Sequence, residues 1–92
     1  MSIATTGETI VTTGGVPVVL HSAQMVNCPV MIKALHSNTG LVYVCRPGGD
    51  SADGLHLSKD EAIVYDFVSD MAAISIDAAV NGEGVRWALL SV

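Results

Sequence analysis

Pro29-Val30-Met31-Ile32-Lys33-Ala34-Leu35-His36, followed by Ser37-Asn38-Thr39-Gly40 and then Leu41-Val42-Tyr43-Val44-Cys45-Arg46, is the stretch that decides the fold. Two runs rich in Val, Ile, Leu and Tyr flank a cluster of turn formers, and each run is too short for a typical helix. Side chains alternate across an extended chain, so Val30, Ile32 and Ala34 share one face while Met31, Lys33 and Leu35 share the other. Asn38, Thr39 and Gly40 therefore predict a tight hairpin turn, with Gly40 at positive φ, where a side chain would be costly.

The same rhythm extends in both directions. Gly14-Gly15, Asn27-Cys28-Pro29, Pro47-Gly48-Gly49-Asp50, Asp53-Gly54 and Asn81-Gly82-Glu83-Gly84 punctuate the chain at short intervals. Between them the spacing predicts strands over 8–13, 16–21, 29–36, 40–46, 54–57, 61–68, 72–78 and 84–91. A second hairpin is expected to join MAAISIDAAV to VRWALLSV through residues 81–84. One helical candidate exists, LSKDEAIVYDFVSDMA, where Ser58 and Glu61 match a capping box. Its run Ile63-Val64-Tyr65-Asp66-Phe67-Val68 suits a pleated surface better, so a strand is expected there. The pattern predicts an all-β fold, an antiparallel β-sandwich or jelly-roll-like barrel of about seven to eight short strands. Residues 8–92 form its single domain, and residues 1–7 are read as a flexible N-terminal arm.

Apolar residues make up 50% of the 92-residue chain and charged residues 14%, against a usual charged share of about 25%. A domain of this size cannot bury so much apolar material in one core, so self-association or docking on a partner is expected to cover part of it. Several strands are apolar on both faces. Residues such as Met31, Leu35, Val64 and Leu90 are therefore candidate contacts with other copies or with a larger partner, together with Ser2, Ile3, Ala4, Thr5 and Thr6 of the arm.

Nine acidic residues oppose four basic ones, Lys33, Arg46, Lys59 and Arg86, scattered singly along the chain. Direct nucleic-acid contact needs a basic stripe, so none is expected. No apolar run approaches the roughly 18–20 residues that span a bilayer, the acidity disfavours anionic membrane surfaces, and the first residues lack the features of a signal peptide. Cys28 and Cys45 show neither CxxC nor Cys/His zinc spacing, and reduced, partly buried thiols are expected.

A search for chemistry yields no catalytic constellation. His21, His36 and His56 match no metal-ligand spacing, and at least two are expected at exposed loop edges. Asp50, Asp53 and Gly54 lack the closing Glu of a calcium loop. Neither cysteine has the flanking residues of a known protease family, and Asp60 and Glu61 would point to opposite faces of a strand. No phosphate-binding loop is present. The chain is expected to be no enzyme and to hold no cofactor or metal. Tyr43, Tyr65, Phe67 and Trp87 lie at core-compatible strand positions, which makes core the expected role for at least three of them.

The segment Ile32-Lys33-Ala34-Leu35-His36-Ser37-Asn38-Thr39-Gly40-Leu41-Val42-Tyr43-Val44 resembles a pattern in small β-sandwich virion proteins of tailed bacteriophages. In that pattern an apolar strand with an Ala near its end runs into an Asn-Thr-Gly turn and a Val-Tyr-Val strand. The surrounding order is also similar, with the early strand Val18-Val19-Leu20 before this segment and Gly54-Leu55-His56-Leu57 and the strand after Glu61 behind it. The resemblance implies a structural role, decoration or cementing of the capsid exterior by a homotrimer that contacts the major capsid protein and is made in the host cytoplasm. It implies no catalytic residues. A head–tail connector or tail component and a carbohydrate-binding module for host attachment are the alternatives.

Overall fold

The computed structural model describes residues 6–21, 24–45 and 54–90. Its elements are β1 (Thr6–Val11), β2 (Val18–Val19), β3 (Met25–Ala34), β4 (Val42–Cys45), β5 (Leu55–Leu57), β6 (Ala62–Asp70), a 3-10 turn (Met71–Ala73), β7 (Ser75–Ala78) and β8 (Glu83–Leu89). The eight strands form two antiparallel four-stranded sheets, sheet A in the order β1-β8-β3-β6 and sheet B in the order β2-β7-β4-β5. β1 pairs with β8, β2 with β7, β3 with β6 and β4 with β5. First pairs with last and so on inward, as in one long antiparallel ribbon rolled up, which is the strand order of a jelly roll.

Rolling the ribbon changes what the turn clusters do. The sequence predicts hairpins at 37–40 and 81–84, but β3 and β4 belong to different sheets, as do β7 and β8. Both clusters are corners where the chain crosses the sandwich. Only β4 and β5 are consecutive and paired. Gly40 is not among the residues at positive φ, whereas Gly82, at φ 82°, is. Gly40 is small for a different reason: a Cβ there would lie 2.9 Å from Cγ2 of Val80 on the other corner.

Other elements depart from the expected bounds by a few residues. β1 begins at Thr6, so Thr6 and Gly7 of the expected arm belong to the strand, and residues 1–5 lie outside the described residues. β3 starts at Met25, ahead of the turn signal at 27–29, because that signal is a bulge inside a strand. Asn27 takes φ 48°, and the register against β6 shifts between Met25 and Cys28. The expected strand 72–78 opens instead with the 3-10 turn, capped by the Asp70 carboxylate on the Ala72 N–H at 3.0 Å. The capping-box pair does form one of its bonds without any helix. Ser58 N–H donates to Glu61 Oε1 at 2.6 Å within a turn that holds Asp60 at φ 65° and leads into β6.

The core lies between the sheets. Val30, Ile32 and Ala34 of β3 and Val85 and Trp87 of β8 face Val42 and Val44 of β4 and Ile76 and Ala78 of β7, with Val11, Leu20, Met71 and Ile74 closing the ends. Gly7 sits opposite Trp87, and a Cβ on it would press on the indole, so the glycine makes room for the largest core side chain. Cys28 on β3 and Cys45 on β4 are buried thiols in different sheets.

Candidate assembly surface

The outer face of sheet A is built by register. Thr6, Ala88, Met31 and Val64 stand in one row across β1, β8, β3 and β6, and Glu8, Arg86, Lys33 and Ala62 form the next. The first row is apolar apart from Thr6. Val64 is 52% exposed, and Met31 and Ala88 are half-buried. Beyond this row, at the end of β8, Leu90 is half exposed and its N–H donates to the Pro29 carbonyl at 3.0 Å. Exposed apolar side chains normally occur singly; this arrangement puts several side by side on one face.

A second bulge sharpens the face. Val30 pairs with Tyr65 and Cys28 with Val68, so three residues of β6 span two of β3. The extra residue breaks alternation. Ile63 and Tyr65 lean on the core, Val68 is buried, and Asp66 and Phe67 between them are both exposed, Phe67 at 63%. Phe67 is thus not the core residue that simple alternation predicts. Of the other aromatics Trp87 is buried, and Tyr43 and Tyr65 are half-buried. Burial also holds the Tyr65 hydroxyl above its ordinary pKa.

Five of the nine expected contact residues have a definite place. Thr6, Met31 and Val64 come together in the apolar row, Leu90 lies beyond it, and Leu35 ends the same side of β3, half-buried, with its N–H on the Gly84 carbonyl. Ser2, Ile3, Ala4 and Thr5 lie outside the described residues. Asn38, Thr39 and Gly40 are elsewhere, at the corner. Asn38 is buried and brackets the backbone of Gly84: Nδ2 donates to its carbonyl at 2.9 Å and Oδ1 accepts from its N–H at 3.3 Å. The Glu83 carboxylate accepts the N–H groups of Thr39 and Gly40 and the Thr39 hydroxyl. These bonds, the Gly40 and Thr39 N–H groups first, hold its pKa below the ordinary carboxylate value. Sequence reading missed this latch because its two halves are more than forty residues apart.

The histidines scatter. His21 lies against Trp87 at a tilt, with ring centroids 5.2 Å apart and ring planes 52° from parallel. His36 Nδ1 lies 2.6 Å from Asp60 Oδ2, a bond that lowers the Asp60 pKa, and His56 is exposed on β5 opposite Tyr43. Among the described residues no three His, Cys, Asp or Glu side chains converge as metal ligands, and no helix is long and apolar enough to cross a membrane.

Asp77 is the other residue that sequence reading passed over. It is fully buried on β7, and its Oδ1 accepts the N–H of Gly15 at 2.9 Å and of Ala78 at 2.8 Å. It ties the β1–β2 connection to β7. Comparison with protein-family models, with curated proteins and with solved structures finds no match.

Proposed function

We propose that this protein is a structural assembly subunit, a virion component that decorates and cements the capsid shell of a tailed phage. The observation that carries the reading is the apolar row of Ala88, Met31 and Val64 on the outer face of sheet A, with Val64 exposed. Such a face suits a part that becomes dry only when docked. The resemblance of residues 32–44 to small phage virion proteins supports the capsid as partner and a threefold position as the seat. A connector or tail component would use the same face. The carbohydrate-binding reading has Phe67 alone as a strongly exposed aromatic among the described residues.

The test is to mix the purified chain with expanded empty capsids and image them. Ordered density on the outer shell is the expected result, reduced when residues 2–5 are deleted. Absence of shell density with retention on a polysaccharide column would overturn the assignment, and density confined to the neck or tail would move it to the connector.

A further inference from the structure

Of the asparagines Asn27, Asn38 and Asn81, only Asn81 is followed by a glycine. An asparagine loses its amide when the backbone nitrogen of the next residue attacks the side-chain carbonyl carbon, and a glycine there has no side chain to obstruct the approach. Asn81 and Gly82 are both exposed at the corner between β7 and β8. A Cβ built on Gly82 would meet nothing within 4 Å, so the solvent side of this residue is open.

The fold engages both reacting groups. Gly82 N–H donates to the Val11 carbonyl at 2.8 Å, and Asn81 Oδ1 accepts the Gly14 N–H at 2.7 Å. The first bond holds the proton on the nitrogen that must lose it, and the second fixes the side chain toward the β1–β2 connection. Both partners lie on one segment, since Val11 ends β1 and Gly14 follows it before β2. Val11 and Glu83 form the last rung of the β1–β8 pairing, and the bond from Gly14 to Asn81 is exposed to water. Strand ends and exposed hydrogen bonds are where a folded chain opens first.

We propose that Asn81 is a site of self-modification by deamidation, gated by the end of β1 and the β1–β2 connection. When that segment lifts, base takes the Gly82 N–H proton and the nitrogen attacks Asn81 Cγ. The new N–Cγ bond closes a succinimide ring as the bond from Cγ to the amide nitrogen breaks, and ammonia leaves with a proton returned to it. Water then opens the ring at either carbonyl, which leaves an aspartyl or an isoaspartyl link at position 81. Water and base are the only co-reactants. The isoaspartyl link puts an extra methylene into the main chain, so the Gly82 N–H loses its alignment with Val11. Conversion is one-way, and the corner keeps a record of how often the end of β1 has opened.

This chemistry goes beyond the shell-docking proposal and needs no shell, so it is tested on the isolated chain and can fail independently of that proposal. The full chain is held in mildly alkaline buffer, folded and in urea, and peptide mapping reads the mass gain of amide-to-acid conversion together with the isoaspartyl content. In urea position 81 is expected to convert while Asn27 and Asn38 lag behind. In the folded chain the conversion is expected to be at least about tenfold slower. The slowdown should equal the protection of the Gly82 amide in hydrogen exchange, and that protection should be smaller than that of Ile32 in the central strand β3. Conversion as fast in the fold as in urea would mean that the two bonds gate nothing. Gly82 protection equal to that of Ile32 would mean that only global unfolding exposes the site. Either result overturns the inference, as do a Gly82 amide that exchanges readily without conversion and a position 81 that stays intact in urea.

Discussion

The two outer faces of the sandwich invert the usual relation between polarity and burial. On sheet B the outward positions of β4 and β7 include Tyr43, Ser75 and Asp77, and Ser75 and Asp77 are buried, Asp77 completely. The Gly15 N–H, from the β1–β2 connection, is bound to the Asp77 carboxylate. On sheet A the outward positions include Met31, Val64 and Ala88, and no connection among the described residues is bonded across them. At the polar outward positions of sheet B a buried carboxylate takes a loop N–H, whereas Val64 in the apolar row of sheet A stays exposed. A loop crossing the apolar face would strand its own N–H and C=O groups without partners, whereas a flat neighbouring surface would not.

The contrast can be broken by experiment, and the largest effect is expected on sheet B. Asp77→Ala removes the acceptor of two N–H groups from a fully buried position and is expected to cost about 3 kcal/mol, read from the urea midpoint at neutral pH. A loss under about 1 kcal/mol would mean that the carboxylate does not hold the β1–β2 connection in place. Asn38→Ala at the corner leaves the Gly84 backbone without its bracket and is expected to cost about 2 kcal/mol, read the same way.

The latch should respond to acid. The Glu83 pKa is lowered in the folded chain, so its contribution to stability is present above the unfolded value of 4.5 and is lost as pH falls through the folded value. Between about pH 5 and pH 3 the stability of Glu83→Gln is expected to fall less steeply than that of the parent, a difference seen by denaturant titration at each pH. An identical slope for both proteins would remove Glu83 from the acid response. The smallest effect belongs to the outer face of sheet A. Val64→Thr keeps β-branching at a half-exposed site and is expected to change the stability of dilute monomer by under about 0.5 kcal/mol. A larger loss would show that the face already packs against something within the chain.

Much of the fold was legible because short-range pattern carries it. Alternation in residues 29–36 correctly separated Val30, Ile32 and Ala34 from Met31 and Lys33, and the β-branched run at 63–68 outweighed the helical signal of Ser58 and Glu61. The corner at 38–40 was misread for a physical reason. Asn-Thr-Gly states that the chain reverses locally, and a hairpin and a sheet-crossing corner need the same turn chemistry. What separates them is Glu83 and Gly84, residues that only the folded chain brings to Asn38. Phe67 was misread because a bulge depends on register with β3, and one inserted residue reverses every face assignment beyond it.

By itself, then, the sequence determined the class of the protein: all-β, acidic, and with more apolar surface than its strands can bury together. Those properties are sums over residues and local periodicities, and they hold for any way of pairing the strands. Tertiary structure alone decided that β1 pairs with β8 and β3 with β6, that Asp77 is buried with the Gly15 N–H on its carboxylate, and that Thr6, Ala88, Met31 and Val64 form one row. A row across a sheet is set by hydrogen-bond register between strands distant in the chain. No local pattern encodes that register, because each strand's alternation is satisfied equally well beside several possible neighbours.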